Sequence, residues 1–112
     1  MNLKITHQSN YAIIATTDEK LNSLNAPALK EEVISLNKSN VSNLILDLSQ
    51  TSYCDSSGLS AILVANRLCK NSNGKCVLFG LQPNVKKMIE IAQLHRVLAI
   101  SKSLDEAVNM ID

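Results

Sequence analysis

The chain has no excess of charge of either sign and no long apolar run. Its 11 basic and 10 acidic residues give a formal net charge of +1, which offers no general attraction for nucleic acid or an anionic membrane. No apolar stretch approaches the roughly 20 residues of a membrane span. Residues 1–6 lack the charged-then-apolar layout of a signal peptide. We therefore expect a cytoplasmic protein that neither binds nucleic acid nor inserts directly into a membrane.

Cysteine and histidine are scarce and scattered. The three cysteines, Cys54, Cys69 and Cys76, form no C-x-x-C pair and are odd in number. This favours reduced thiols in a cytosolic core over a disulfide framework. A zinc site needs about four closely spaced ligands, whereas His7 and His95 lie far from each other and from any such cluster. We expect no metal and no cofactor.

The length and the spacing of apolar residues predict one α/β domain over residues 1–112. The predicted strands are 3–7, 11–16, 41–48, 75–79 and 96–100, with 17–24 as a loop. The predicted helices begin near Asn25, Ser56, Pro83 and Ser103. An initial hairpin followed by alternating strands and helices predicts a mixed sheet of four to five strands with about four helices, its later strands parallel.

Helical spacing also predicts which side chains face the core. The predicted buried residues are Leu29, Val33 and Leu36 in the first helix, Leu59 and Ile62 in the second, Val85, Met88, Ile89 and Ala92 in the third, and Leu104, Val108 and Ile111 in the last. Ser103 and Glu106 have the spacing of a capping box, with Ser at the N-cap and Glu at N3.

The most informative segment is Asp55-Ser-Ser-Gly-Leu59, which joins the strand ending at Leu48 to the second helix. It places a carboxylate and two hydroxyls at the first turn of a helix. An anion at that point meets free backbone N–H groups and the positive end of the helix dipole. The segment therefore predicts a turn that can accept a phosphate on a side chain. Asp and Ser are also ordinary helix caps, so capping without regulation is the alternative.

The order of elements around this segment resembles the STAS domain, and more narrowly the bacterial anti-sigma factor antagonists. The residues that carry the resemblance are the run from Leu46 to Leu59, Gly74 to Leu78, and Pro83 to Met88. It extends over nearly the whole chain. It implies a STAS-like α/β fold and a non-enzymatic protein that works by binding other proteins.

The resemblance implies a phosphorylation switch at Ser56, the serine directly after Asp55. In that family the unphosphorylated protein binds an anti-sigma factor and so frees a sigma factor for transcription. The anti-sigma factor is also an ATP-using serine kinase whose phosphorylation of the serine ends the binding, and a serine phosphatase reverses it. Asp55 is expected to accept hydrogen bonds within the turn and to support phosphorylation. Ser57 is expected to be bonded locally, and Gly58 to permit a tight turn and close approach of the partner.

The sequence departs from the family pattern in the loop 17–22, where Glu19 stands near the usual Gly and Asn22 near the usual Asp. That loop belongs to the family's partner-binding face, so the departure bears on which partner is bound. The candidate partner-binding residues are Asn22, Leu59, Ser60, Asn66 and Arg67, and of these Ser60, Asn66 and Arg67 are expected to be exposed, as is Lys70. Cys54 replaces an apolar residue and is expected to be a small buried thiol rather than a redox sensor.

Two other functions compete with the switch. Catalysis by Ser56 needs a base and an oxyanion hole, but the flanking residues do not form G-x-S-x-G and neither histidine is placed near Ser56 by the sequence. Catalysis is therefore not expected. The second alternative is a STAS subunit of a stressosome, a sensor assembly or a transporter complex that does not act on a sigma factor.

Overall fold

The computed structural model describes residues 3–111, which fold as alternating strands and helices. The elements are β1 (Leu3–His7), β2 (Ala12–Thr16), β3 (Lys20–Leu21), α1 (Ala26–Lys38), β4 (Leu44–Asp47), β5 (Tyr53–Cys54), α2 (Ser56–Asn71), β6 (Cys76–Phe79), α3 (Pro83–Ile91), a 3-10 turn (Leu94–Arg96), β7 (Ala99–Ser101) and α4 (Leu104–Ile111). The main sheet has the order β1-β2-β4-β6-β7, in which β1 is antiparallel to β2 and every other pair is parallel. The predicted hairpin and mixed sheet are confirmed. None of the described helices is long and apolar enough to cross a bilayer.

The central strand β4 is buried on both of its faces, which explains its unbroken run of aliphatic residues. Leu44 and Leu46 point into a large core that is covered by α1, α2 and α3. Ile45 points the other way, into a smaller core formed with Val77 and with Ala107 of α4. The sheet is therefore covered by three helices on one face and by one helix on the other.

Most of the predicted helix faces are confirmed, with three corrections. Met88 is only half-buried and belongs to neither core. The larger core contains Leu29, Val33 and Leu36 of α1, Leu59 and Ile62 of α2, and Val85 and Ile89 of α3. Ala92 is exposed because α3 ends at Ile91, one residue before it. Leu104 is 40% exposed, since it opens α4 one turn before Ala107, the first residue of that helix to enter the smaller core. The Ser103 hydroxyl caps α4 by accepting the Glu106 N–H at 3.1 Å.

A second, two-stranded sheet was not predicted. β3 lies within the predicted loop 17–24 and pairs in parallel with β5, Lys20 beside Tyr53 and Leu21 beside Cys54. A strand of two residues is too short to produce an alternating pattern, so the sequence gives no sign of it. This small sheet positions the start of the second helix, because β5 leads directly into Asp55 and α2.

The turn after each of the first two helices contains an asparagine in the left-handed conformation, where a glycine is more usual. Asn40 after α1 and Asn73 after α2 have φ values of 69° and 61°, the left-handed conformation typical of the position after a helix. The next residue of each turn donates its N–H back to the last turn, Val41 to Leu36 at 3.0 Å and Gly74 to Cys69 at 2.7 Å. Both turns are Schellman motifs, in which backbone groups alone close the helix end.

Gly74 is required for a different reason, the close approach of another segment. A Cβ atom at this position would lie 1.7 Å from the carbonyl oxygen of Ser42, at the entry to β4.

We expect Gly74→Ala to lower the free energy of unfolding by about 1–3 kcal/mol or more, because the backbone of one segment must move. Urea denaturation measures the loss. Asn71→Ala, at an exposed site in the same helix end, is the control and should change stability by less than about 0.5 kcal/mol. A Gly74→Ala protein as stable as the control would contradict the packing seen at this turn.

Candidate functional site

The Asp-Ser-Ser-Gly turn is the first turn of α2, as predicted. Asp55 is the N-cap residue in extended conformation, and its side chain accepts the Gly58 N–H at 3.0 Å. The Asp55 carbonyl accepts the Leu59 N–H at 2.9 Å, which begins the helical ladder. The predicted hydrogen bonding of Asp55 within the turn is confirmed. Ser56 is the first residue of the helix and is exposed.

The backbone at this turn leaves donors for an anion. Within residues 3–111 the N–H groups of Ser56 and Ser57 have no acceptor, as is usual for the start of a helix. The two hydroxyls also make no hydrogen bond to a described residue, so the expected local bond of Ser57 is not present. A negative group on Ser56 would meet two available N–H groups and the positive end of a 16-residue helix.

The small sheet fixes the turn in place through backbone bonds. The Asp55 N–H donates to the Leu21 carbonyl at 3.2 Å, and the Ser52 and Tyr53 N–H groups donate to the Glu19 carbonyl at 2.8 and 3.2 Å. The segment 17–22 is therefore next to the serine turn. Sequence reasoning placed this segment on the partner-binding face only by resemblance and missed that it supports α2.

Asn25 connects the same segment to α1. It is the N-cap residue of α1, but its side chain makes no capping bond to that helix. Its amide group instead donates to the Lys20 carbonyl at 2.7 Å and to Asp18 at 3.2 Å, and its oxygen accepts the Asn22 N–H at 2.8 Å. The Asn25 side chain therefore anchors the backbone of residues 18–22 and does not cap α1.

Gly58 faces the protein interior and not a partner. A Cβ atom there would lie 2.5 Å from the Cys54 thiol and 2.5 Å from the Leu21 carbonyl oxygen. The residue is buried, so the predicted close approach of a partner at Gly58 is wrong. The approach that requires glycine is made by β3, which packs directly against the first turn of α2.

Cys54 is a buried thiol, as predicted. Burial, with a smaller contribution from the Asp55 charge, raises the pKa of Cys54 to about 12. Its thiol donates to the Asp55 carbonyl at 3.5 Å. A thiol held in its protonated form is a poor nucleophile, which argues against the redox alternative. Cys69 and Cys76 are also buried and unpaired.

The five candidate partner-binding residues do not form one surface. Asn22 and Ser60 are half-buried near the turn, and Leu59 is a core residue. Asn66 is 8% exposed, so its predicted exposure is wrong, whereas Arg67 is exposed as predicted. Since a helix rises 1.5 Å per residue, Asn66 and Arg67 lie about 15 Å along α2 from Ser56.

Exposed apolar side chains near the turn were missed. Tyr53, two residues before Asp55, is 46% exposed, and Leu24, three residues after Leu21, is 90% exposed. Tyr53 also lines a shallow groove with Met88 and Ile91 of α3, and Ile91 is 69% exposed. The only signal in the sequence was the presence of large apolar residues in segments otherwise assigned to loops or helix ends.

The family is decided by comparison with known proteins. The sequence of residues 2–107 matches the family model of the STAS domain. The chain belongs to the STAS domain family. This confirms the resemblance inferred from the serine turn and the order of elements.

Several similar proteins are anti-sigma factor antagonists. BtrV of Bordetella bronchiseptica, proposed to have that activity, is 27% identical over 95 residues, 85% of this chain and 82% of its own. A Mycobacterium paratuberculosis antagonist has a TM-score of 0.87 at 15% identity, covering 98% of this chain and 92% of its own. The Bacillus antagonist SpoIIAA has TM-scores of 0.83 in its unphosphorylated form (17% identity; 98% and 96% covered) and 0.76 in its phosphorylated form (16%; 99% and 100%).

The same fold also occurs inside a membrane transporter. The murine anion transporter Slc26a9 matches with a TM-score of 0.76 at 17% identity, covering 95% of this chain and 18% of its own. The fold is therefore shared by proteins with different activities, and function has to be argued from the residues of the site.

The capping role of Asp55 can be separated from its charge. We expect Asp55→Ala to lower the free energy of unfolding by about 0.5–2 kcal/mol, because the buried Gly58 N–H loses its acceptor. Asp55→Asn retains an oxygen acceptor in the same place and should lose less than half as much. Urea denaturation of the two variants measures the difference. Equal losses in the two variants would show that the charge, and not the cap, stabilises the turn.

Proposed function

We propose that this protein is an anti-sigma factor antagonist switched by phosphorylation of Ser56. The observation that carries the proposal is an exposed serine hydroxyl at the first residue of α2, directly after the Asp55 cap, in a STAS domain. In this scheme the unphosphorylated protein binds an anti-sigma factor and releases a sigma factor for transcription. The phosphorylated protein does not bind.

The first turn of α2 can carry a phosphate without unfolding. A phosphoserine adds about −1.5 to −2 charge at neutral pH and three acceptor oxygens. The unbonded N–H groups of Ser56 and Ser57 and the helix dipole stabilise such a group, typically by about 0.3–1 kcal/mol. Asp55 opposes it, but its side chain is already bonded to the Gly58 N–H. The charge therefore changes the surface of the domain and leaves its fold intact.

The surface around Ser56 is suited to a protein partner. Tyr53 and Leu24 present large apolar groups beside the serine turn, and the groove along α3 extends this surface to Ile91. A partner that covers these groups removes water from the Ser56 hydroxyl as well. A neutral hydroxyl loses little on such burial, whereas a phosphate loses its hydration and repels any acidic group opposite it. Phosphorylation would thus act through the interface.

The chemistry of the switch implies two enzymes. Phosphorylation requires an ATP-using serine kinase, and we propose that the anti-sigma factor itself is that kinase. Reversal requires a serine phosphatase. All of these proteins would meet in the cytoplasm, where the sigma factor acts.

A second candidate function is supported by the fold alone. A STAS subunit of a stressosome, a sensor assembly or a transporter complex would use the same domain without acting on a sigma factor, and the transporter Slc26a9 contains the fold. The exposed serine after the N-cap Asp favours the switch. The identity of the bound partner distinguishes the two candidate functions. An ATP-using anti-sigma factor supports the switch, and a component of one of the other assemblies supports the second candidate.

Partner binding should depend on the charge at residue 56. We expect immobilised wild-type protein to capture an anti-sigma factor from an extract of the source organism, identified by mass spectrometry. The variant Ser56→Asp should lose at least about 90% of the captured partner, because the carboxylate mimics part of the phosphate charge.

The control is Ser72→Asp, which adds the same charge at the other end of α2 and should bind the partner like wild type. Circular dichroism should show the same fold for all three proteins. Equal capture by both variants, or capture only of a transporter or stressosome component, would contradict the proposal.

Ser56 should also be the residue modified by the captured partner. Purified partner and Mg-ATP should place one phosphate on the wild-type protein and on Ser57→Ala, and none on Ser56→Ala. Peptide mapping by mass spectrometry should locate the phosphate on Ser56. A phosphate on another residue, or full modification of Ser56→Ala, would refute the assignment.

A further inference from the structure

A cavity of about 350 Å³ lies at the edge of the sheet where β6 and β7 begin, between the last turns of α2 and α4. It is of a size that accommodates a small molecule. It lies at the amino ends of the strands, whereas Ser56 lies on the side of their carboxyl ends. It is thus separate from the serine turn, and an occupant there would go beyond the proposed switch.

The cavity lies where β6 begins one residue before its pairing with β7. β7 begins at Ala99, opposite Val77, so no strand residue pairs with Cys76 on that side. The Lys75 carbonyl accepts the Leu44 N–H at 2.9 Å and therefore faces β4. Because backbone groups alternate along a parallel strand, those of Cys76 face the cavity side. The pairing with β7 begins only at Val77, so it gives the Cys76 N–H no partner residue, and no backbone bond of this group outside the strands is seen within residues 3–111.

A side chain of α2 supplies a second group that is open to the cavity. Asn66 is only 8% exposed and lines the cavity, and no hydrogen bond of its side chain is seen within residues 3–111. Since no buried side-chain nitrogen or oxygen in this part of the chain lacks a partner, the exposed part of Asn66 includes its amide group, which is open to the cavity. An amide group supplies two N–H donors and one acceptor oxygen. Two such groups at one cavity, the Asn66 amide and the Cys76 N–H, are suited to the oxygen atoms of a bound molecule.

The rest of the lining defines the charge and polarity of that molecule. Lys70 and Lys75 lie at the cavity, and Lys75 is held there because its ammonium donates to the Met110 carbonyl at 3.0 Å. None of the described lining residues is acidic. The apolar part of the wall is formed by Val97, Ala99 and Met110. This combination favours an anion with an apolar body.

We infer that the cavity binds a small carboxylic acid with an aliphatic chain. The two lysines favour its negative charge, the Asn66 amide and the Cys76 N–H donate to its carboxylate oxygens, and the aliphatic wall covers its carbon chain. A sugar or a bare inorganic anion would leave that wall without an apolar partner. A neutral alcohol would leave the two lysines without a counterion.

The inference is tested with octanoate as the probe and octylammonium as its cationic counterpart. Octanoate added to the 15N-labelled protein should shift the amide signals of residues 66–77, 97–99 and 110 in a saturable way, and leave those of residues 53–60 unchanged. Octylammonium should cause no saturable shift. No saturable shift with octanoate, or equal shifts with both probes, would overturn the inference and leave a cavity that holds only water or responds to any apolar chain.

Two variants test the residues themselves. Lys70→Glu should weaken octanoate binding on the order of tenfold, since it replaces an attracting charge by a repelling one. Lys86→Glu, on α3 away from the cavity, is the matched control and should bind octanoate like wild type. Asn66→Leu should fold normally, because the amide that it removes makes no hydrogen bond to the rest of the described chain, and should also bind on the order of tenfold more weakly. Octanoate binding that is unchanged in both Lys70→Glu and Asn66→Leu would place the ligand elsewhere and refute the site.

Discussion

The position of the serine turn depends on the contact between the first turn of α2 and the short strand β3. Gly58 has no side chain, so the Leu21 carbonyl and the Cys54 thiol can occupy the space of its Cβ atom. The Asp55 N–H bonds to that same Leu21 carbonyl. Both interactions hold the start of α2 against β3, and this fixes the direction in which Ser56 is presented. A larger residue at position 58 would separate the helix from the strand.

The backbone bonding of β3 explains how this chain tolerates departures from the family pattern. Glu19, Lys20 and Leu21 support the serine turn and α1 through their carbonyl oxygens. A carbonyl oxygen is present whatever the side chain, so Glu19 can replace a glycine without loss of these bonds. The departure at 17–22 therefore changes the outer surface, which a partner would meet in the proposed function, more than the geometry beneath it. Variation of that surface is a means of choosing among partners.

The parts of this structure that could be predicted are those with repeated or local signals. Leu29, Val33 and Leu36 follow the helical period, and Asp55 is a strong cap, so α1 and the start of α2 are visible in the sequence. β3 and β5 have two residues each and carry no period. Asn66 was misplaced because a polar residue on a helix is normally exposed, and only its neighbours in the fold bury it. Gly58 was assigned to the partner because a sequence cannot show which backbone approaches a glycine.

The two ends of α2 differ in the backbone groups that they leave without a hydrogen bond. This difference separates the proposed phosphate position from the proposed ligand cavity. At the start, a side chain caps one N–H group and the groups of Ser56 and Ser57 stay available, so this end favours an added negative charge. At the end, Asn73 and Gly74 close the helix with backbone bonds. Ligands of open α/β sheets usually bind at the carboxyl ends of the strands, where Ser56 lies. The cavity at the opposite end of the strands does not follow from that topology, because it is lined by residues such as Asn66 and Val97 that no rule of strand order places together.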